Sequence, residues 1–194
     1  MRKIFDFVKT HWLLGLLVLT VLLVGINKIL KPKSLENPTV SPATPTKIAD
    51  YKSIVPGETT LDEVNNLLGY PVKKTGEGDK TTAEYNSSNK YRNNKITLQN
   101  EVATLIKEMV NTPDNKKAQD IINEFGIAPY KFYKQKPSST FDLYVYQANG
   151  IAYLGHIDGT LLEIWYFKPT SIDDFKAAWG TGYSTEKPTE ILPY

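Results

Sequence analysis

The stretch 141–167, FDLYVYQANGIAYLGHIDGTLLEIWYF, decides the predicted fold. It contains three runs, FDLYVYQ, IAYLGHI and TLLEIWYF, that are rich in the aromatic and β-branched residues favoured in strands. Asn149-Gly150 and Asp158-Gly159 separate the runs, and such dipeptides supply the positive φ angles that hairpin turns need. The stretch therefore predicts a three-stranded antiparallel meander.

Three segments of the chain resemble one another and each reads as a short amphipathic helix. They are 60–69 (TLDEVNNLLG), 117–126 (KAQDIINEFG) and 171–180 (SIDDFKAAWG). Apolar residues recur at helical spacing and a glycine closes each segment. Thr60 and Glu63 fit a capping box at the start of the first. Helices of about three turns are not stable alone, so we expect each to pack on a sheet.

A fainter meander follows the first helical segment, with runs KTTAEYNSS from Lys80, KITLQ from Lys95 and VATLIKEMV from Val102. The last run, 102–110, also fits a helix. The predicted fold class is α+β, with an N-terminal transmembrane helix and then repeated helix plus three-stranded antiparallel meander units, in the order α-βββ-α-βββ-α. The two meanders form either one continuous sheet or two packed units.

An apolar segment near the N-terminus, 12–27 (WLLGLLVLTVLLVGIN), contains no charged residue. With Ile29 and Leu30 it approaches the ~20 apolar residues of a membrane-spanning helix. It is longer than the ~7–15-residue core of a signal peptide and lacks a small-x-small cleavage pattern, so an uncleaved anchor is favoured over a cleaved signal. Lysines flank both ends and give little orientation signal, but the composition after residue 33 favours a cytoplasmic N-terminus.

These patterns divide the chain into six parts. The segment after the anchor contains four prolines and several Ser and Thr residues, which favour an extended polyproline II spacer. The predicted parts are a short basic flank (1–10), a transmembrane helix (11–30), a Pro/Thr-rich stalk (31–49), a first α-βββ unit (50–113), a second α-βββ unit with a closing helix (114–183), and a flexible tail (184–194).

Composition excludes several classes of function. The chain has no Cys, which excludes disulfides, Cys-ligated metals and a Cys nucleophile. Residues 1–49 carry seven of the 23 Lys and Arg residues and two of the 21 Asp and Glu residues, so the remainder has a net charge of −3. Folded domains that bind nucleic acid normally carry a basic excess. We therefore expect no nucleic-acid partner.

The sequence contains no motif that predicts catalysis. There are two histidines, His11 and His156, and no HExxH, GxSxG, P-loop or GxGxxG pattern. Asp62 and Glu63 lie in a predicted first helical turn, where acidic residues interact favourably with the helix dipole. We predict no catalytic residue, no metal site, no cofactor, and a protein that is not an enzyme.

Aromatic residues provide a candidate contact surface. Tyr144 and Tyr146 alternate with apolar residues on one predicted strand, and Trp165 lies on another. Tyr and Trp give a large contact area at low entropy cost, so we hypothesise that Tyr144, Tyr146 and Trp165 form a partner-contact patch. The alternative is that they belong to the core, because strands favour aromatic residues in any case.

The segment 54–71, IVPGETTLDEVNNLLGYP, resembles the opening of the SmpA/OmlA (BamE-like) domain. That family begins with an aliphatic-x-Pro-Gly-x-Thr turn, continues with a Glu-Val helix and closes with Leu-Gly-x-Pro. A tandem of such units is similar to the β-lactamase-inhibitor-protein-like fold. The resemblance implies a non-catalytic, extracytoplasmic adaptor or protein-binding module, without the lipobox Cys of outer-membrane lipoproteins. The matching positions are Ile54, Pro56, Gly57, Thr59, Glu63, Val64, Leu68, Gly69 and Pro71.

Together these observations predict a single-pass membrane-anchored protein that presents a non-catalytic extracytoplasmic α+β binding or adaptor domain. The expected partners are the membrane, through residues 11–30, and a protein. The predicted localisation is the cell membrane, with a cytoplasmic N-terminus and an extracytoplasmic C-terminal domain. The alternatives are an envelope sensor or inhibitor of one protein ligand, and an uncharacterised enzyme.

Overall fold

Nine strands form one antiparallel sheet, and three eight-residue helices pack on its faces. The computed structural model describes residues 47–134 and 140–188, and these counts refer to them. The helices are α1 (Leu61–Leu68), α2 (Ala118–Phe125) and α3 (Ile172–Trp179). The strands are β1 (Lys73–Glu77), β2 (Lys80–Tyr85), β3 (Asn94–Gln99), β4 (Val102–Met109), β5 (Tyr130–Lys134), β6 (Phe141–Tyr146), β7 (Ile151–His156), β8 (Leu161–Phe167) and β9 (Tyr183–Ser184).

The strand order is β1-β2-β3-β4-β8-β7-β6-β5-β9. Strands β1 to β4 form one meander and β5 to β8 form a second, and the two meet where β4 pairs antiparallel with β8. The register at this junction places Leu105 opposite Phe167 and Lys107 opposite Trp165. The two meanders therefore share one continuous hydrogen-bonded sheet.

Alternating side chains give the sheet two different faces. Ile106 and Tyr166 belong to the core beneath α1 and α2, on what we call the α1/α2 face. Leu105 and Phe167 belong to the core beneath α3, on the opposite α3 face. Phe175 of α3 is fully buried there, with its ring centroid 4.9 Å from that of Phe167. One sheet thus separates two apolar cores.

Helices α1 and α3 begin and end at the residues that the sequence indicated. Before α1, the Thr60 hydroxyl accepts a hydrogen bond from the Glu63 N–H, and the Glu63 carboxylate accepts one from the Thr60 N–H at 2.7 Å. This capping box satisfies two backbone donors that the helix itself leaves free. The Ser171 hydroxyl accepts from the Asp174 N–H in the same way before α3.

The predicted fold class, repeated helix plus three-stranded units in the order α-βββ-α-βββ-α, is wrong. The structure is mostly a nine-stranded antiparallel sheet. The prediction missed β1, β5 and β9, which lie at or beside the sheet edges. All five residues of β1 are exposed, so its sequence KKTGE carries no alternation of apolar and polar residues. The run 102–110, which also fitted a helix, contains strand β4.

The prediction of a transmembrane, single-pass protein with a cytoplasmic N-terminus is corrected here. In the described ranges, 47–134 and 140–188, no helix has the length and apolar character to cross a bilayer. Eight residues at ~1.5 Å each give about 12 Å, against a hydrocarbon core of about 30 Å. The predicted membrane helix (11–30) and most of the predicted stalk (31–49) lie outside the described residues. The structure therefore does not support that architecture or localisation.

Truncating Phe175 is expected to destabilise the protein strongly. The Phe175→Ala change leaves a cavity among Phe132, Phe167 and Trp179, the rings that surround it. We expect a loss of about 3–5 kcal/mol in the free energy of unfolding, measured by urea denaturation. Ala178→Ser, on the exposed side of the same helix, is the control and should change stability by less than about 0.5 kcal/mol. Equal effects of the two changes would contradict the assignment of Phe175 to the core.

Candidate functional site

The α3 face of the first meander is polar and partly open to solvent. On β3, Asn94, Ile96 and Leu98 are buried against the α1/α2 core, whereas the alternate residues Lys95, Thr97 and Gln99 are half-buried or exposed. An antiparallel sheet with one apolar face and one solvated face shows this pattern. The ring contacts of α3 are with β5 and β8 of the second meander. We call the polar α3 face of β1 to β4 the open face.

A row of charged residues crosses the open face. The register pairs Glu84 with Lys95, and Lys95 with Lys107. Lys95 Nζ lies 3.7 Å from Glu84 Oε1, which is an attractive pair. Lys95 and Lys107, in contrast, are like charges directly opposite each other on neighbouring strands, an arrangement that destabilises a sheet. Local conflicts of this kind are expected where a residue serves binding rather than stability.

Four cationic side chains influence one another here. Desolvation by burial lowers the pKa of the Lys107 ammonium, and the carboxylate of Glu163 opposes this effect. The positive charges of Lys95, Arg92 and Lys134 lower the pKa of Lys107 further. These three residues come from three separate parts of the chain, namely β3, the loop before it, and β5. Two carboxylates, those of Glu84 and Glu163, face these four cations, so positive charge is in excess around Lys107.

Glu163 on β8 is the acidic centre of this cluster and is only 7% exposed. Its carboxylate forms an ion pair with the Arg92 guanidinium and accepts a hydrogen bond of 2.8 Å from the Trp165 indole N–H. Lys107 Nζ lies 3.8 Å from the centroid of the Trp165 ring, within the range of a cation–π interaction. The buried carboxylate and the buried indole N–H of this cluster therefore both have partners.

Tyr183 of the edge strand β9 closes the cluster from the side. Its ring meets the Trp165 ring edge-on, with 6.2 Å between centroids. Desolvation by burial, with a smaller contribution from the negative charge of Glu163, raises the pKa of Tyr183 to about 12. The phenol therefore stays neutral across the physiological range and adds apolar contact area to the site.

The chemistry of this cluster suits binding of an anion. Guanidinium and ammonium groups donate charge-assisted hydrogen bonds to carboxylates, and Arg does so in a bidentate geometry. Within the described residues, no group of three or more His, Cys, Asp or Glu side chains is placed to hold a metal ion. His156, at the end of β7, pairs with Asp158 across 3.0 Å. That pair lies at the hairpin between β7 and β8.

The structure places the three predicted contact residues in different environments. Tyr146 and Trp165 are 1% and 2% exposed, on opposite faces of the sheet. Tyr144 is half-buried and shares the α1/α2 face with Tyr146, where its ring stacks on Tyr153 with centroids 4.7 Å apart. The structure therefore brings Tyr144 and Tyr146 to one face but does not bring Trp165 to them.

The basic cluster was missed in the sequence because its members are far apart along the chain. The residues Arg92, Lys107 and Glu163 meet only through the pairing of β4 with β8. One signal was available: Glu163 is the single acidic residue in the run TLLEIWYF. A charged residue inside a strand that is otherwise apolar is normally paired or exposed, so its partner could have been sought.

Replacing Glu163 is expected to destabilise the protein more than breaking a surface ion pair does. In Glu163→Leu, the Arg92 guanidinium and the buried Trp165 N–H lose their acceptor, and we expect a loss of about 2 kcal/mol in chemical denaturation, mainly from the unpaired indole donor. The control is Glu124→Leu, which breaks an ion pair with Lys47 in which both side chains are well exposed. We expect less than about 1 kcal/mol there. A loss of less than about 1 kcal/mol for Glu163→Leu would contradict the contribution of this cluster to the stability of the fold.

Tyr183 is expected to contribute to the loss of stability at high pH. An unfolded tyrosine ionises near pH 10, whereas the folded Tyr183 keeps its proton until about pH 12. Its contribution is therefore fully present below pH 10 and is lost as the pH rises from 10 to 12. Over that interval the wild type should lose about 1 kcal/mol more than Tyr183→Phe, a value reduced for solvent screening. Tyr91→Phe, which removes an exposed phenol, should follow the wild type.

Comparisons with known proteins give no family for this chain. No family model and no curated protein matches it. Among solved structures it is similar to the crystal structure of a DUF4309 family protein (YjgB) from Bacillus subtilis, with 13% sequence identity and a TM-score of 0.41. The alignment covers 60% of this chain and 84% of that one. At this level the similarity carries no argument about function, and the resemblance to SmpA/OmlA domains stays a prediction.

Proposed function

We propose that this domain is a non-catalytic protein-binding module that docks an acidic segment of a partner protein on its open face. The observation that carries the proposal is the direct opposition of Lys95 and Lys107 on neighbouring strands. Two like charges at this spacing repel each other in the free protein. A carboxylate bound between them would relieve the repulsion. This relief would make the free energy of binding more favourable.

The exposed ends of the cations support the proposal. The side chains of Arg92 and Lys95 are 39% and 49% exposed, so their charged groups are accessible while part of each side chain packs on the sheet. Lys134, at the end of β5, is exposed as well. A partner carboxylate would therefore meet donors from several directions, which favours a specific orientation over diffuse attraction.

Threonines beside the charged row add hydrogen-bonding capacity. The register places Thr75, Thr82 and Thr97 in the neighbouring row of the open face, on three consecutive strands. Their side chains are half-buried or exposed. Hydroxyl groups can donate and accept, so they suit the backbone of an extended partner segment. The open face therefore offers polar contacts next to charged ones, as the rim of a protein interface does.

The uneven distribution of charge favours a protein partner over nucleic acid. Outside residues 1–49 the chain carries a net charge of −3, so the basic cluster is local and the remaining surface is acidic. A long polyanion would be repelled by that remaining surface, whereas a short acidic segment would contact the cluster alone. The resemblance of residues 54–71 to SmpA/OmlA domains implies the same class of adaptor function.

Binding of an oligoglutamate peptide to the full-length protein tests the proposal. We expect measurable binding by isothermal titration calorimetry at low salt, weakening as salt rises, because exposed charges are screened. Lys95→Glu should lower the affinity about tenfold or more, since it removes an attractive charge and adds a repulsive one. Lys187→Glu makes the same change of charge at an exposed position near the end of the described chain and should have a much smaller effect. Absence of binding, or equal losses in both variants, would contradict the proposal.

A further inference from the structure

The outer edge of β1 is the longer of the two sheet edges. Within the described residues β1 pairs with β2 alone, whereas the opposite edge is formed by the two-residue strand β9. All five residues of β1, Lys73–Glu77, are exposed. An edge strand of this length presents unpaired backbone N–H and C=O groups, which can pair with another strand.

The sequence of β1 is complementary to itself in the antiparallel direction. The side chains of Lys73, Thr75 and Glu77 project to the open face, and that of Lys74 projects to the α1/α2 face. When KKTGE is paired antiparallel with a second copy and centred on Thr75, Lys73 lies opposite Glu77 and Glu77 lies opposite Lys73. We propose that the protein forms a two-fold symmetric dimer in which β1 of two copies pairs in this register.

Charge and space are compatible with this register on both faces. Two opposite-charge cross-strand pairs form on the open face, and each such pair is stabilising by about 0.2–1 kcal/mol. On the α1/α2 face Lys74 lies opposite Gly76. Glycine has no side chain, so it neither repels the lysine nor collides with it. A two-fold axis through Thr75 makes the interface isologous, so the same contacts occur twice. The pairing would join the two sheets across the dimer axis.

Exposed apolar residues next to β1 supply further contact area. Tyr70 and Val72, which precede the strand, are 88% and 54% exposed. In the centred antiparallel register they run alongside the hairpin at 78–80 of the second copy. Five paired residues alone bury less than the roughly 1,200 Å² of a stable interface, so these side chains are needed and the dimer is expected to be of moderate affinity. The inference uses the sheet edge and does not rest on the proposed partner binding.

A single introduced cysteine tests the register directly. The natural chain contains no Cys, so Thr75→Cys creates a unique thiol. Residues opposite each other in an antiparallel pair have Cα atoms about 4.5–5.5 Å apart, which suits a disulfide. Under mild oxidation we expect Thr75→Cys to form a covalent dimer at least about tenfold faster than Thr185→Cys, which places a thiol at an exposed position elsewhere. Equal rates would overturn the proposal.

Charge exchange in the Thr75→Cys background provides the second test. Lys73→Glu places acidic residues opposite each other, and Glu77→Lys places basic residues opposite each other, so each variant should cross-link poorly alone. A mixture of the two restores both opposite-charge pairs and should give the heterodimer, identified by its mass. Lys187→Glu and Glu186→Lys, in the same background, make the same charge changes away from β1 and should cross-link like Thr75→Cys itself. A mixture that cross-links no better than the separate variants would contradict the proposed register.

Discussion

The pairing of β4 with β8 is the constraint on which the rest of the structure depends. It joins two four-stranded meanders that are otherwise continuous only along the chain. Because side chains alternate across a strand, this one register also decides which residues of both meanders share a face. Ile106 and Tyr166 go to the core beneath α1 and α2, and Leu105 and Phe167 go to the core beneath α3.

The candidate site follows from the same register. Lys107 of β4 lies opposite Trp165 of β8, and this brings its ammonium over the indole ring and near Glu163. Arg92 then reaches Glu163 from the loop before β3. The packing of the apolar residues therefore holds these cations close together, although they repel one another. Residues that stabilise the fold and residues proposed to bind lie on different surfaces of the sheet. The apolar cores stabilise the sheet, and the open face carries the polar groups.

Sequence reasoning located the three helices and six of the nine strands because their patterns are local. Capping residues, closing glycines and the apolar periodicity of segments such as 61–68 can all be read within ten residues. The edge strand β1 escaped because the residues of KKTGE are exposed on both faces and leave no burial pattern. The site escaped because Arg92, Lys107 and Glu163 meet only in three dimensions. The aromatic patch was sought on residues whose side chains are largely buried, since strand propensity alone does not distinguish a contact surface from a core.

Solution NMR of the cross-strand contacts between β4 and β8 tests the central claim most directly. The account predicts nuclear Overhauser effects between the backbone protons of Lys107 and Trp165, and between those of Leu105 and Phe167, as the register requires. It also predicts that the amides of these two strands exchange among the slowest in the protein, since they lie in the middle of the sheet. A register displaced by one residue would move either Lys107 or Trp165 from the α3 face to the α1/α2 face. The absence of these contacts would contradict both the fold and the site.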